Sequence, residues 1–209
     1  MLPQRLSHVY WLGGGSYAGK STIARRIADR YGFHLYPTDD AMAEHSRRSN
    51  PEDCPLLHKF IAMDMDDRWV NRSPASMLET FHWFRGEGFK MIIDDLLRIP
   101  ADVPVIVEGF RLLPHLVKPI LSATNHAVWL LPSPEFREIA IERRGGCTSG
   151  FLARTSNPER ALQNLLQRDR MFTDRLSNEV QRLELRAIEV TTPMNEDVST
   201  NLVVQIFGL

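Results

Sequence analysis

An α/β fold, with a parallel sheet held between two layers of helices, is what this 209-residue sequence predicts. Short apolar runs alternate with helical stretches along the chain, the signature of strands joined by helical crossovers. One run, Val103 to Val107, is apolar almost throughout, the pattern of a strand covered on both faces. Another, His8-Val9-Tyr10-Trp11-Leu12, leads into a glycine-rich turn and then a helix. The order β-α-β-(helices)-β-α-β-α-β-α calls for right-handed crossovers and helices on both faces.

The turn after the first strand reads Gly14-Gly15-Ser16-Tyr17-Ala18-Gly19-Lys20-Ser21, which spells G-x-x-x-x-G-K-[ST]. This is the phosphate-binding P-loop pattern in its strand–turn–helix setting. Gly14, Gly15 and Gly19 let the backbone curl, so that amides from Gly14 through Ser16, Tyr17 and Ala18 can converge on an anion. The helix that starts near Lys20 adds the partial positive charge of its N-terminus. Lys20 can reach the β- and γ-phosphates, Ser21 can ligate Mg²⁺ through its hydroxyl, and Thr22 extends the polar helix start. A nucleoside triphosphate is the expected ligand.

From Lys20 to Tyr31 the pattern is helical, with Ile23, Ala24, Ile27 and Tyr31 on one stripe and Gly32 as the stop. Phe33 to Tyr36 forms a short second strand ended by Pro37. The stretch from about Asp40 to Pro100 exceeds a simple crossover and reads as an inserted group of helices able to hold a second substrate. After the third strand, a fourth fits His126 to Leu131 and a fifth Ala187 to Thr191. Ser73-Pro74, Ser133-Pro134 and Asn157-Pro158 each set a capping side chain before a proline at the first helical position. The last opens a long helix to about Leu185, and Asn195 opens the C-terminal one. One domain over residues 1–209 accounts for the whole length.

Composition excludes several classes. With 43% hydrophobic and 24% charged residues and a formal net charge of −1, the chain shows neither disorder nor the basic excess of a nucleic-acid binder. No apolar stretch approaches the ~20 residues of a membrane span, and the first residues run straight into the first strand. A cytoplasmic protein with no nucleic-acid or membrane partner is expected. Cys54 and Cys147 match no zinc spacing, and His45, His58 and His82 show no ligand spacing.

Ligands of parallel sheets gather outside the carboxyl ends of the strands. Asp39 and Asp40 follow the second strand there, where one of them, Asp39 by preference, can take a proton from an attacking hydroxyl. Glu108 closes the buried third strand, the place of an acid that orients Mg²⁺-bound water, and Arg111 is near enough to reach the same crevice. Arg143-Arg144-Gly145-Gly146 begins an arginine-rich stretch of about 143–170 that also holds Arg154, Arg168 and Arg170. It suits a flap that closes over phosphates, with Arg144 and Arg168 as the acting side chains. Phe60, Trp69, Phe81, Trp83, Phe84 and Phe89 in the insertion either form core or make a cup for a planar substrate.

The P-loop, the acid after strand two, Glu108-Gly109 and the arginine-rich stretch together resemble the P-loop kinases of nucleosides, nucleotides and small metabolites. The resemblance implies a three-layer α/β/α fold with a five-stranded parallel sheet in the order 2-3-1-4-5. It implies that residues Gly14 to Thr22 hold ATP, that Ser21 and Glu108 serve the metal, and that Asp39 is the base or acceptor-binding acid. Arg143 or Arg144 would be lid arginines, and Thr192-Pro193 would lie beside the adenine. Arg168-Asp169 is similar to the start of the R-D-x-x-D-x-x-R signature of cytidylate kinases, but position 172 is Phe, which argues against a CMP acceptor. The base-reading and switch motifs of GTPases are absent, so ATP is the expected donor.

The expected function is therefore transfer of the γ-phosphoryl group of ATP, with Mg²⁺, to a small hydroxyl- or phosphate-bearing acceptor. A nucleotide-binding regulatory ATPase, in which the insertion docks a partner protein, is the alternative.

Overall fold

The structure, a computed structural model, describes every residue except Ser149 and Pro193. Among the described residues the strands β1 (Val9–Gly14), β2 (His34–Pro37), β3 (Val105–Glu108), β4 (Ala127–Pro132) and β5 (Ala187–Val190) form one sheet. All pairings are parallel and the order is β2-β3-β1-β4-β5, as expected. The helices are α1 (Leu2–Arg5), α2 (Lys20–Tyr31), α3 (Met42–Arg48), α4 (Pro55–Ala62), α5 (Met65–Trp69) and α6 (Pro74–Thr80). They continue with α7 (Phe89–Leu96), α8 (Pro114–Val117), α9 (Pro134–Glu142), α10 (Pro158–Arg182) and α11 (Glu196–Phe207). None is long and apolar enough to cross a membrane, among the described residues.

Alternation along the strands divides the core. Val9 and Trp11 of β1 join Val105, Val107 and Trp129 on one face, beneath Ile92 and Leu96 of α7, Val117 of α8 and Val180 of α10. Leu12, Ile106, Val128 and Leu130 point to the other face, against Ile23 and Ile27 of α2 and Val203 and Phe207 of α11. A third cluster lies beyond the sheet. There Trp69, Phe81, Trp83 and Phe84 of the insertion pack on Leu165, Phe172 and Leu176 of α10. Phe84 and Phe172 stack with centroids 3.6 Å apart. Because α10 contributes to both cores, it fixes the insertion relative to the sheet.

Several boundaries differ from the sequence reading, each for a local reason. β1 runs two residues further, because Gly13 and Gly14 can pair with Trp129 and Leu130 where a side chain has no room. β3 begins at Val105, since Pro104 has no amide to donate and the Val103 amide closes a turn onto the Pro100 carbonyl. α10 stops at Arg182, as Glu184 at φ +53° turns the chain towards β5. The expected caps are in place: Ser73, Ser133, Asn157 and Asn195 accept from the amides of Ser76, Phe136, Arg160 and Val198.

Two glycines test the close approach of β1 to β4. A Cβ on Gly14, at φ +130°, would lie 2.1 Å from the Leu130 carbonyl oxygen, whereas one on Gly32, at φ +69°, would meet nothing within 4 Å. Gly14→Ala should lower the unfolding free energy by about 3–5 kcal/mol, from strain and overpacking together. Gly32→Ala should cost only about 1–2 kcal/mol, the left-handed penalty alone. Urea denaturation of both variants checks this, and equal losses would refute the tight crossing.

Candidate functional site

The loop from β1 to α2 is curled by its backbone. Gly19 adopts φ +83° at the start of α2, and Tyr17 takes φ +64°, a left-handed conformation uncommon outside glycine. Lys20 is buried and folds back to donate from Nζ to the Gly15 carbonyl at 2.8 Å. Loss of water lowers the pKa of its ammonium, while Glu108, Asp39 and Asp169 pull it back up. On the far side Gly15 leaves room for Thr173 Oγ1 and Pro132, either of which a Cβ would meet within 3 Å.

Two carboxylates face this loop from the ends of neighbouring strands. Glu108 is buried at the end of β3, and burial pushes its pKa up, moderated by Lys20 and by the Ser21 hydroxyl that donates to it. Asp39 follows β2, where the amide of Thr38 donates to the Glu108 carbonyl and keeps the two strand ends together. Its side chain stays open to the cavity, but the cleft walls displace enough water to raise its pKa, against the opposing pull of Lys20 and Arg111. Asp40 is exposed and does not line the cavity, so Asp39 is the acid of the pair that the fold brings to the loop.

Arg111 turns away from the crevice. Its Nη1 donates to the Thr38 carbonyl at 3.2 Å, its Nη2 lies 2.9 Å from His45 Nδ1, and its guanidinium sits 3.9 Å from the Trp83 ring centre. Burial lowers its pKa to about 10. Since a guanidinium only donates, His45 Nδ1 accepts, and Nε2 then donates to Asp95 Oδ2 at 2.7 Å. Tyr36 and Arg48 add further bonds to Asp95, and these hydrogen bonds outweigh burial and hold its carboxyl at about 2. Glu44, His45 and Asp95 are close enough to suggest a metal cluster. Both His45 nitrogens are spent, however, and Arg48 and Arg98 already balance the acid.

The arginine-rich stretch divides in two. The described residues of 143–157 form turns and short helical bends, and α10 follows. Arg143 is exposed and does not line the cavity, whereas Arg144 lines it with its guanidinium 5.1 Å from the Tyr17 ring centre. Arg168 was expected on a mobile flap, but it lies within α10 and is buried, because the helix already starts after Asn157. Its Nε and Nη2 donate to Asp169 Oδ1 at 2.9 and 2.6 Å, and Trp69, Phe81 and Phe84 surround the guanidinium with ring centres at 4.9–5.3 Å. Thr192 is exposed beyond β5 and outside the cavity lining, and Pro193 lies outside the described residues.

The cavity, of about 330 Å³, runs from the loop residues Ser16–Thr22 past Asp39 and Glu108 to an aromatic wall. Trp69, Phe81 and Phe84 serve as both core and wall, while Phe89 packs beneath the sheet. Sequence reasoning missed Phe110 and Phe151, which also line it, and Arg137, buried nearby and donating to Thr173 Oγ1. It named Asp169, another lining residue, only within a signature and not as a site residue. A signal for Asp169 existed. Ala161, Leu165, Phe172, Leu176 and Val180 form the apolar stripe of α10, and Arg168-Asp169 interrupts it.

No family model and no curated protein matches this chain. Among solved structures it is similar to an uncharacterized protein from Eubacterium ventriosum ATCC 27560, at 13% sequence identity and a TM-score of 0.47, over 96% of this chain and 97% of that one.

The Arg168–Asp169 pair makes a prediction of its own. Asp169→Asn leaves a guanidinium buried beside aromatic rings without its counter-charge, which should cost about 3–5 kcal/mol in urea denaturation. A loss below about 1 kcal/mol would mean that the rings alone sustain the charge.

Proposed function

We propose that the protein is an ATP-dependent phosphotransferase that moves the γ-phosphoryl group of ATP onto a small hydroxyl- or phosphate-bearing molecule. The observation that supports this reading best is the continuity of the cavity. One space joins a phosphate-type loop to an enclosed aromatic wall, with Asp39 between them. A site for hydrolysis alone has no need of the second compartment.

The residues fit the groups this chemistry requires. The backbone of Gly14 to Thr22 and the Lys20 ammonium form a cationic nest for phosphates, and Lys20 gives up only a carbonyl contact to engage them. Ser21 and Glu108, already hydrogen-bonded, offer the oxygen ligands that Mg²⁺ prefers. When bound, Mg²⁺ supplies charge neutralisation at the phosphates. Asp39 then positions the acceptor hydroxyl and takes its proton, a role for which a raised pKa is suited. Arg144, on the flap, balances the charge that develops on the transferring group.

Lys20→Ala should abolish phosphoryl transfer with an unchanged far-ultraviolet circular dichroism spectrum, and retained turnover would end the assignment. Asp39→Asn should lower kcat by about 10²–10⁴-fold while leaving the KM for ATP close to wild type. Both are read as ADP release with and without a panel of small-molecule acceptors. Hydrolysis that ignores every acceptor and responds only to a protein partner would favour a regulatory ATPase instead.

Acid pH provides an independent check. The Asp39 carboxylate must be ionised to accept a proton, so kcat/KM for the acceptor should rise with pH through its folded pKa. Because the cleft raises that pKa, the acid limb should sit above the ordinary aspartate value of about 3.9. A limb at or below that value would remove Asp39 from the role of base.

A further inference from the structure

We infer that the acceptor is an uncharged alcohol carrying a planar ring, and that compounds already bearing a phosphate are disfavoured at the acceptor end. The reaction rests on the phosphotransferase reading, whereas the recognition of an uncharged ring rests on the cavity walls alone.

The shape of the wall comes first. Trp69, Phe81, Phe84, Phe110 and Phe151 reach the cavity from the insertion, from the segment after β3 and from the flap. Phe81 and Phe110 lie 6.3 Å apart at 29°, and Trp69 and Phe151 approach to 4.6 Å at 36°. Phe151, which covers Trp69 from the stretch before α10, is 37% exposed. Flat aromatic faces reward a flat partner through offset stacking. At about 330 Å³, shared with the phosphate end, the space suits an acceptor of modest size.

Charge then narrows the class. A phosphate on the acceptor would need unspent cations at the aromatic end. Arg168 lies there, but two of its nitrogens are bound to Asp169 and its faces are covered by rings. Arg68 and Arg72 of the insertion donate to the carbonyls of Phe60, Ile61, Asp67 and Arg68 and do not line the cavity. Arg111 is committed to Thr38 and His45 behind the wall. Lys20 and Arg144 belong to the loop end. The Arg168–Asp169 pair carries no net charge, and Asp39 adds negative charge where a second phosphate would have to sit.

Arg168 Nη1 has no hydrogen-bond partner among the described residues, but it is shut off from solvent, so the guanidinium does not present an open fork to an entering phosphate. The balanced step is simple. The acceptor oxygen bonds to the γ-phosphorus and its proton passes to Asp39. The bond from that phosphorus to the β,γ-bridging oxygen breaks, and ADP leaves with the electron pair. The product ester forms beside a protonated Asp39, which regains its charge once that proton passes to solvent.

Calorimetry on the intact protein saturated with Mg²⁺ and a non-hydrolysable ATP analogue, which fills the phosphate loop, tests this directly. Thymidine, uridine and benzyl alcohol are each compared with their monophosphate esters. At least one uncharged member should bind ten-fold or more tightly than its ester. Phe110→Leu, at a half-buried position, should weaken that binding ten-fold or more while leaving ATP affinity unchanged. Equal or tighter binding of the esters, no binding by any ring alcohol, or an unaffected Phe110→Leu variant overturns the inference. The two readings fail separately. A ring alcohol that binds but is never phosphorylated defeats the phosphotransferase and leaves the ring recognition standing. Turnover that requires a phosphorylated acceptor does the reverse.

Discussion

The structure depends on a strip of backbone with no room for side chains at the end of β1. A Cβ on Gly13 would fall 2.4 Å from the Trp129 indole nitrogen, and one on Gly14 would fall inside the Leu130 backbone. A Cβ on Gly15 would meet Thr173 of α10 and Pro132 of β4. The approach has consequences in both directions. Trp129, packed against Gly13, donates from Nε1 to the Leu112 carbonyl at 2.8 Å and so pins the segment that carries Phe110 and Arg111. Thr173, drawn up to Gly15, brings the preceding turn of α10 and its Arg168–Asp169 pair to the cavity. Larger side chains in the strip would push the loop away from both walls it shares.

The second dependence runs through α10. Its polar pair stands in an apolar stripe, and a buried ion pair rarely stabilises a fold more than apolar residues of the same shape would. Packing therefore does not account for keeping it, and its position at the cavity does. The insertion is clamped to the same helix by Asn164, which donates to the Trp69 and Val70 carbonyls, and by the Arg175–Glu79 pair. The Ser156 amide, just before the helix, donates to Asp66 of α5. The aromatic wall is thus positioned by the helix rather than by the insertion's own short helices, which are too brief to hold a shape alone.

What was legible in the sequence follows from how local each signal is. The phosphate-type loop and the flanking strand and helix are written in consecutive residues, and the alternation of strands with helices is enough for a parallel sheet. Asp39 and Glu108 were readable because strand ends in such sheets share one edge. Long-range facts were not. Nothing near Arg111 announces that His45, from α3, will draw it away from the crevice. The number of arginines around Arg168 suggests a flap, although the periodicity of α10 already includes it. Asp169 was visible as a polar break in that periodicity, yet the break has meaning only once Trp69, Phe81 and Phe84 are known to close over it. The aromatics of the insertion left core and cup open for the same reason: a ring can be both, and only the position of α10 decides which face is wall.

Electrostatics give the site a direction. Lys20 is a desolvated cation held by a carbonyl, and Glu108 and Asp39 are carboxyls whose pKa values are raised because water is scarce around them. A hydrogen bond from an ammonium to a neutral carbonyl is weaker than one to an anion, so the resting contact is readily exchanged. An anion entering at the loop would meet the charge that most needs a partner, and at the aromatic end it would meet Asp39 and an arginine already neutralised by Asp169. The same desolvation that makes Lys20 costly in the absence of ligand makes its attraction for phosphate stronger than it would be in water. The cavity is therefore polar in sense as well as in composition. Its chemistry favours negative charge at one end only, so a ligand with one anionic and one neutral end would enter in a single orientation.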